Sequence, residues 1–293
     1  EIRDVWAFHE AGFHNLLAIS VRERYEKEAL KAAFGMLGTG QVSLSKVVVI
    51  VGPKVDARDP EAVLRALGEH FDPEEDFLLL PGTSMDTLDF TSFRPNLGSK
   101  MICDATPRAD RPPKPLLRPE ELPDLRAVDP AVRGQRLVAG ALLVVTIARP
   151  AESAMEEGRG GGGSGAGDGS GAGDGSGAGG GGAAGGGSGA GGGSRPSGGA
   201  GGAAVVGESP GRRVLERLLS EEVARAHPVL RRVPVLALLS DDVPLDDRTQ
   251  LLWGLFTRFD AARDVRFRDS RLVGAAPAHR GTLGIDATWK PGY

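Results

Sequence analysis

The chain has 293 residues, and its 44 glycines dominate the composition. Twenty-seven of them lie within 158–202; the other 248 residues have an ordinary glycine content and nearly all the Leu, Ile, Val and Phe, which excludes collagen and wholesale disorder. Thirty-five Lys+Arg against 39 Asp+Glu give a net charge of −4, mixed along the chain, with no basic face for nucleic acid.

A single cysteine, Cys103, excludes a disulfide framework and a thiolate zinc site and suits a reducing cytoplasm. No apolar run reaches the roughly 18 residues of a membrane helix. The longest, 137–148, is strand-sized. There is no signal peptide, and a chain that opens on Glu1 reads as one starting inside a longer protein.

In chain order, an apolar strand is predicted over 16–21, an amphipathic helix over 24–37 and a buried strand over 47–51. The second helix carries clear start signals: Asp59 as N-cap, Pro60 at the first helical position, Glu61 in the first turn. Its apolar positions Val63, Leu64, Leu67 and Phe71 fall at helical spacing. The stretch 106–125, rich in Pro and charge, reads as an extended linker. Beyond it come a strand over 142–147, a helix over 212–223, a strand over 235–239 and a helix capped by Asp246-Asp247.

These elements repeat. Residues 54–77 align without gaps on 242–265, sharing Val55/Val243, Asp59/Asp247, Leu64/Leu252, Leu67/Leu255, Phe71/Phe259, Asp72/Asp260 and Asp76/Asp264. Each copy ends on an Asp-Ala-Thr, at Asp104 and at Asp286. The architecture expected is α/β: two related βαβαβ units with mainly parallel sheets, joined by a Pro-rich linker. The units span 1–108 and 134–293, with the linker at 109–133. The Gly/Ala/Ser tract 158–202 is a disordered loop inside the second copy, between its first strand and its helix. A GxGxxG at Gly175, Gly177 and Gly180 is a product of that composition, with no strand before it.

Few residues carry chemistry. The histidines His9, His14, His70, His227 and His279 show no metal-ligand spacing, and no HExxH occurs. His14 reads as a hydrogen-bonded histidine at a strand edge. Asp241, Asp242, Asp246 and Asp247 read as helix capping, and Asp72/Asp76 with Asp260/Asp264 as turn formers. Cys103 aligns with Ile285, which points to a small buried apolar role. Lys46 differs: it sits at the mouth of the 47–51 strand, where a cation either meets an anion or snorkels to the surface, and the second copy has Pro234 in its place. Lys100, in Gly98-Ser99-Lys100, is likewise missing from copy two and is a weak anion-cradle candidate.

The run FHNLLAISVRERYEKEALKAAFGMLG, then SLSKVVVIV, VDARDPEAVLRAL and LGSKMICDAT, resembles the C-terminal half of the UbiD family of decarboxylases over residues 1–108. The second copy, ending GIDATWKPGY, resembles the additional C-terminal copy of longer, menaquinone-type UbiD-like proteins. The resemblance implies a non-oxidative carboxy-lyase that uses prenylated FMN and a divalent metal on an aromatic or α,β-unsaturated carboxylic acid. It further implies a cytoplasmic homo-oligomer, with a place in quinone biosynthesis. The family's catalytic Glu–Arg–Glu network and its metal ligands lie in an N-terminal half, so no catalytic and no metal-ligating residue is expected in this chain. What carries over is Lys46, matching a lysine that contacts the cofactor phosphate. The loop 81–97, with Asp86, Asp89 and Phe90, corresponds to a segment that approaches the substrate pocket. Two departures stand out: Gly52-Pro53-Lys54 replaces an acidic run that copy two keeps as Ser240-Asp241-Asp242, and Arg65 stands where copy two has Trp253. The rival expectation is a non-catalytic scaffold or oligomerisation subunit supporting a partner that holds the flavin.

Overall fold

In the computed structural model, residues 1–92, 94–149 and 209–290 are described. The Gly/Ala/Ser tract and its GxGxxG lie outside them. Each half of the described chain builds one five-stranded sheet. The first contains β1 (Ile2–Ala7), β2 (Leu16–Val21), β3 (Val47–Val51), β4 (Phe77–Ser84) and β5 (Leu97–Ala105), in the order β1-β2-β3-β5-β4. Helices α1 (Glu28–Leu37), α2 (Pro60–His70) and α3 (Pro73–Asp76) fall between them.

The second sheet contains β6 (Val132–Val138), β7 (Leu142–Ile147), β8 (Val235–Ser240), β9 (Val265–Val273) and β10 (Ala276–Ala287), in the order β6-β7-β8-β10-β9. Its helices are α4 (Pro210–Leu219), α5 (Glu221–Ala226), α6 (Arg248–Phe256) and α7 (Ala261–Asp264).

The register is the same in both sheets. Leu16 pairs Val47 as Leu142 pairs Val235, and Val47 pairs Met101 as Val235 pairs Leu283. The three central strands of each sheet are parallel, as their continuous Val/Leu runs lead one to expect. At both edges the structure adds antiparallel strands, β1 and β4 in one sheet, β6 and β9 in the other. The sheets are therefore mixed, and each unit has five strands where the sequence reading has three. The edge strands were missed because β4 and β9 are each half of a hairpin with partly exposed, non-alternating residues.

The period of two along β3 sorts its side chains into two cores. Val48 and Ile50 pack with Ala29 and Ala33 of α1. Val47, Val49 and Val51 face the other way, into a core shared with α2, with α6 and with Val235, Ala237 and Leu239 of β8. The remaining face of β8, Leu236 and Leu238, packs on Val214, Leu215, Leu218 and Leu219 of α4. The Pro-rich stretch crosses this second sheet and buries Leu117 and Leu125 in the same cluster.

Two helices differ from expectation. The first begins at Glu28 rather than Arg24, because the Glu28 carboxylate accepts from the Arg24 amide and guanidinium and holds 24–27 as a loop. The helix read over 212–223 is broken at Ser220, whose ψ of 152° leaves the helical region and whose hydroxyl caps α5 by accepting from the Val223 amide. By contrast α2 starts as its sequence signals require, with the Asp59 carboxylate accepting from the Glu61 amide.

Candidate functional site

The backbone of Lys46 is clamped by the sheet: its N–H donates to the His14 carbonyl at 2.7 Å and its carbonyl accepts from the Met101 amide at 2.9 Å. That clamp aims the side chain inward, where it is 0% exposed. The ammonium lies 3.1 Å from Asp89 Oδ2, donates to the Phe259 carbonyl at 3.0 Å and sits 5.0 Å from the centre of the Phe259 ring. Burial pushes the amine's pKa down, and the Asp89 carboxylate pulls it back up. Asp89 is itself held by an Asx turn, its other oxygen accepting from the Thr91 amide at 2.9 Å. The Thr91 hydroxyl lies 2.6 Å from that oxygen and 3.1 Å from the Phe259 carbonyl. The snorkelling alternative is thus ruled out, because the amine never reaches water.

Lys100, on β5, is also buried; its amine donates to the Ser45 carbonyl at 3.2 Å and touches Met85 Sδ at 3.4 Å. Desolvation drops its pKa to about 8.

A cleft of about 890 Å³ opens on the other side of Asp89. The left-handed pair Gly12 (φ 84°) and Phe13 (φ 56°) makes the turn that delivers His14 and Asn15 to its wall. A Cβ at Gly12 would lie 2.7 Å from Asn15 Nδ2. His14 Nδ1 pairs with Asp86 Oδ2, whose carboxylate also accepts from the Leu88 amide at 3.0 Å. Burial opposes the charge on Asp86, but the Leu88 amide and the His14 ring hold its pKa below the usual carboxylate value. The loop places Leu88 and Phe90 on the rim, 72% and 70% exposed. The second unit supplies Trp253 of α6 and Trp289 just after β10. Arg258 in that wall is engaged by both carboxylate oxygens of Asp242 at 2.9 Å. The arrangement suits a flat apolar group beside the His14–Asp86 pair.

The structure thus brings His14, Asp86, Asp89 and Phe90 together, with Lys46 behind Asp89. The cleft lining includes Asp89 and Thr91 but does not reach the Lys46 amine. As the chain is folded, a carboxylate and a carbonyl already occupy the ammonium, in the place the resemblance gives to a phosphate.

The acidic pairs do more than form turns. Asp72 and Asp260 cap α3 and α7. Asp76, 1% exposed, meets Lys27 at 2.5 Å and Arg108 and Arg111 at 3.1 Å, and Arg108 reaches Asp104 at 2.8 Å. In the second sheet Lys290 stands 3.6 Å from Asp264 and 3.8 Å from Asp286. Burial raises the pKa of Asp264, against the pull of Lys290. The Asp-Ala-Thr motif closes locally: Asp104 accepts from the Thr106 amide and hydroxyl, and Asp286 does the same with Thr288. Sequence reasoning missed Arg108 and Lys290, although each follows its Asp by four residues. Cys103 is buried, and burial pushes its thiol up to about 12. Among the described residues no group of three or more His, Cys, Asp or Glu side chains is placed to hold a metal. No described helix is long and apolar enough to cross a membrane.

Residues 1–105, the whole first sheet, match the model of the 3-octaprenyl-4-hydroxybenzoate carboxy-lyase C-terminal domain, the UbiD C-terminal domain. An uncharacterized protein of Archaeoglobus fulgidus is 40% identical over 106 residues, covering 36% of this chain and 22% of that protein. A Chlamydia pneumoniae protein named as one subunit of a 4-hydroxybenzoate decarboxylase is 38% identical over 101 residues, covering 34% and 17%. The chain thus spans about a fifth of the length of these curated relatives, 22% and 17%. Among solved structures, a UbiD-class enzyme of Pelotomaculum thermopropionicum in complex with FMN aligns with a TM-score of 0.35 at 26% identity, over 38% of this chain and 24% of that one. Vanillic acid decarboxylase of Sedimentibacter hydroxybenzoicus aligns with a TM-score of 0.36 at 29% identity, over 43% and 27%.

Proposed function

We propose, from the match of residues 1–105 to the UbiD C-terminal domain, that the chain is part of a UbiD-like non-oxidative decarboxylase acting on an aromatic or α,β-unsaturated carboxylic acid, with a role in quinone biosynthesis. The observation that carries the reading is the match across all five strands of the first sheet. The domain reading stays with it: 1–108 and 134–293 as two units, 109–133 between them. In this reading prenylated FMN, which supplies the electron sink when bound, and its divalent metal are held by residues outside this chain, in a cytoplasmic homo-oligomer. The His14–Asp86 cleft is the part of this chain that faces a flat substrate or cofactor, because Phe13, Phe90, Trp253 and Trp289 line it and a histidine–carboxylate pair sits at its edge. Asp89 and the Phe259 carbonyl occupy the Lys46 amine as the chain is folded, so no step is routed through that residue.

One observation favours the rival reading, a non-catalytic scaffold: the second unit seals the lysine that the resemblance assigns to the cofactor. The test is to purify the gene's complete product alongside a prenyl-flavin synthase and incubate it with a panel of aromatic acids that includes 4-hydroxybenzoate. Flavin absorbance eluting with the protein, and release of CO2, are expected. A colourless product that leaves every acid intact would sink the decarboxylase reading and leave the scaffold.

A further inference from the structure

The two sheets dock through equivalent elements used reciprocally. Helix α3 of the first unit packs on β10, and α7 of the second packs on β5. Phe71 and Phe259 are aligned residues in the turns that lead into these helices, and both rings are buried. Such a turn leaves a carbonyl pointing out of its own unit, and a buried carbonyl needs a donor. Lys46 Nζ donates to the Phe259 carbonyl at 3.0 Å. At the aligned place, Lys114 Nζ donates to the Phe71 carbonyl, also at 3.0 Å.

The source of each lysine follows from the sequence. The position equivalent to Lys46 in the second unit is Pro234, whose carbonyl takes the Leu283 amide at 2.9 Å as the Lys46 carbonyl takes the Met101 amide. A proline cannot supply a side-chain donor, and the connecting stretch brings Lys114 instead. We infer that Lys46 is a docking cation that fastens the second unit to the first through the Phe259 turn, with Lys114 as its counterpart at the Phe71 turn. The surroundings agree. The Arg263 guanidinium, one turn into α7, donates to the Thr91 carbonyl beside Asp89, and Arg280 engages both carboxylate oxygens of Glu74 at 2.6 and 2.8 Å across the same junction. The Phe77 and Phe267 rings meet edge to face at 4.8 Å. Each contact of the Lys46 amine joins one unit to the other or braces the loop that does so. This inference stands or falls independently of the decarboxylase reading.

Amide hydrogen exchange on the full chain tests it. Replacing Lys46 by Met leaves Asp89 Oδ2 buried without its cation and the Phe259 carbonyl with only the Thr91 hydroxyl. In Lys46→Met, exchange is expected to accelerate about ten-fold or more in 89–91 and 259–264 while Ala29–Ala33 of α1, on the far face, keeps its wild-type rate. Lys114→Met is expected to accelerate 71–76 and leave 259–264 alone. Wild-type exchange in both segments is expected to be indifferent to inorganic phosphate and to FMN. Unchanged rates at 89–91 and 259–264 in Lys46→Met would overturn the inference. So would protection of those segments by phosphate or FMN that disappears in the variant, since an anion would then be the lysine's true partner. Should Lys46→Met fail to fold, the isosteric Asp89→Asn decides: faster exchange at 259–264 supports the docking role, and wild-type exchange there refutes it.

Discussion

A buried amine whose hydrogen-bond partners are a carbonyl and a thioether, with a carboxylate acting on it only from a distance, is held in the fold at a disadvantage. Lys100 is such a group: its pKa falls from 10.5 in the open chain to about 8. Below pH 8 both states are protonated and the folded one bears the whole penalty. As pH rises from about 8 towards 10.5, the folded amine has lost its proton while the unfolded one keeps it, so stability increases over that window. Lys100→Met is therefore expected to stabilise the chain by about 1–3 kcal/mol at pH 7. Urea denaturation at a series of pH values checks it: the gap between variant and wild type should close between pH 8 and 10.5, and a constant gap would rule out the amine as its source. At this scale the sequence was only partly legible. Lys46 and Lys100 could be singled out because copy two lacks both, which marks them as unneeded by the unit's own fold. What they meet was hidden, since Phe259 lies 213 residues from Lys46. His14 and Asp86, 72 residues apart, were each named but could not be paired.

Strands with unbroken β-branched and Leu runs were read to the residue: β2, β3 and β7 occupy the spans expected. A side chain buried on both faces has no competing pattern, so its composition alone suffices. Helix ends were less readable because capping is decided by single hydrogen bonds. Ser220 is the sharpest case. Read as the interior of one helix, Ser220→Ala should stabilise by a few tenths of a kcal/mol. As the N-cap of α5, accepting from Val223 N at 3.3 Å, it should instead lose about 1 kcal/mol. The sign of the shift in denaturation midpoint distinguishes the two readings.

Charge acts both across the junction of the units, where Arg280 meets Glu74, and inside the first unit. Arg108 closes one buried network, its side chain 4% exposed between Asp104 and Asp76. Removing it leaves Asp104 without its cation, whereas Asp76 keeps Lys27 and Arg111. Arg108→Met is expected to lower stability by about 3 kcal/mol. Arg24→Ala, at a guanidinium 73% exposed, is expected to cost far less, because water screens its ion pair with Glu28. Equal losses in a denaturant titration of the two variants would show that the network contributes nothing special.

The α/β class, the matching of the two halves and the central strands were determined by the sequence itself, because local composition and aligned spacing encode them. The antiparallel edges and the partners of Lys46 and His14 were decided only by the tertiary structure. The physical reason is range. Periodicity and capping act within a few residues, whereas a desolvated ammonium takes whichever carbonyl or carboxylate the packed sheets bring within about 3 Å. For Lys46 that was the turn of its own second copy.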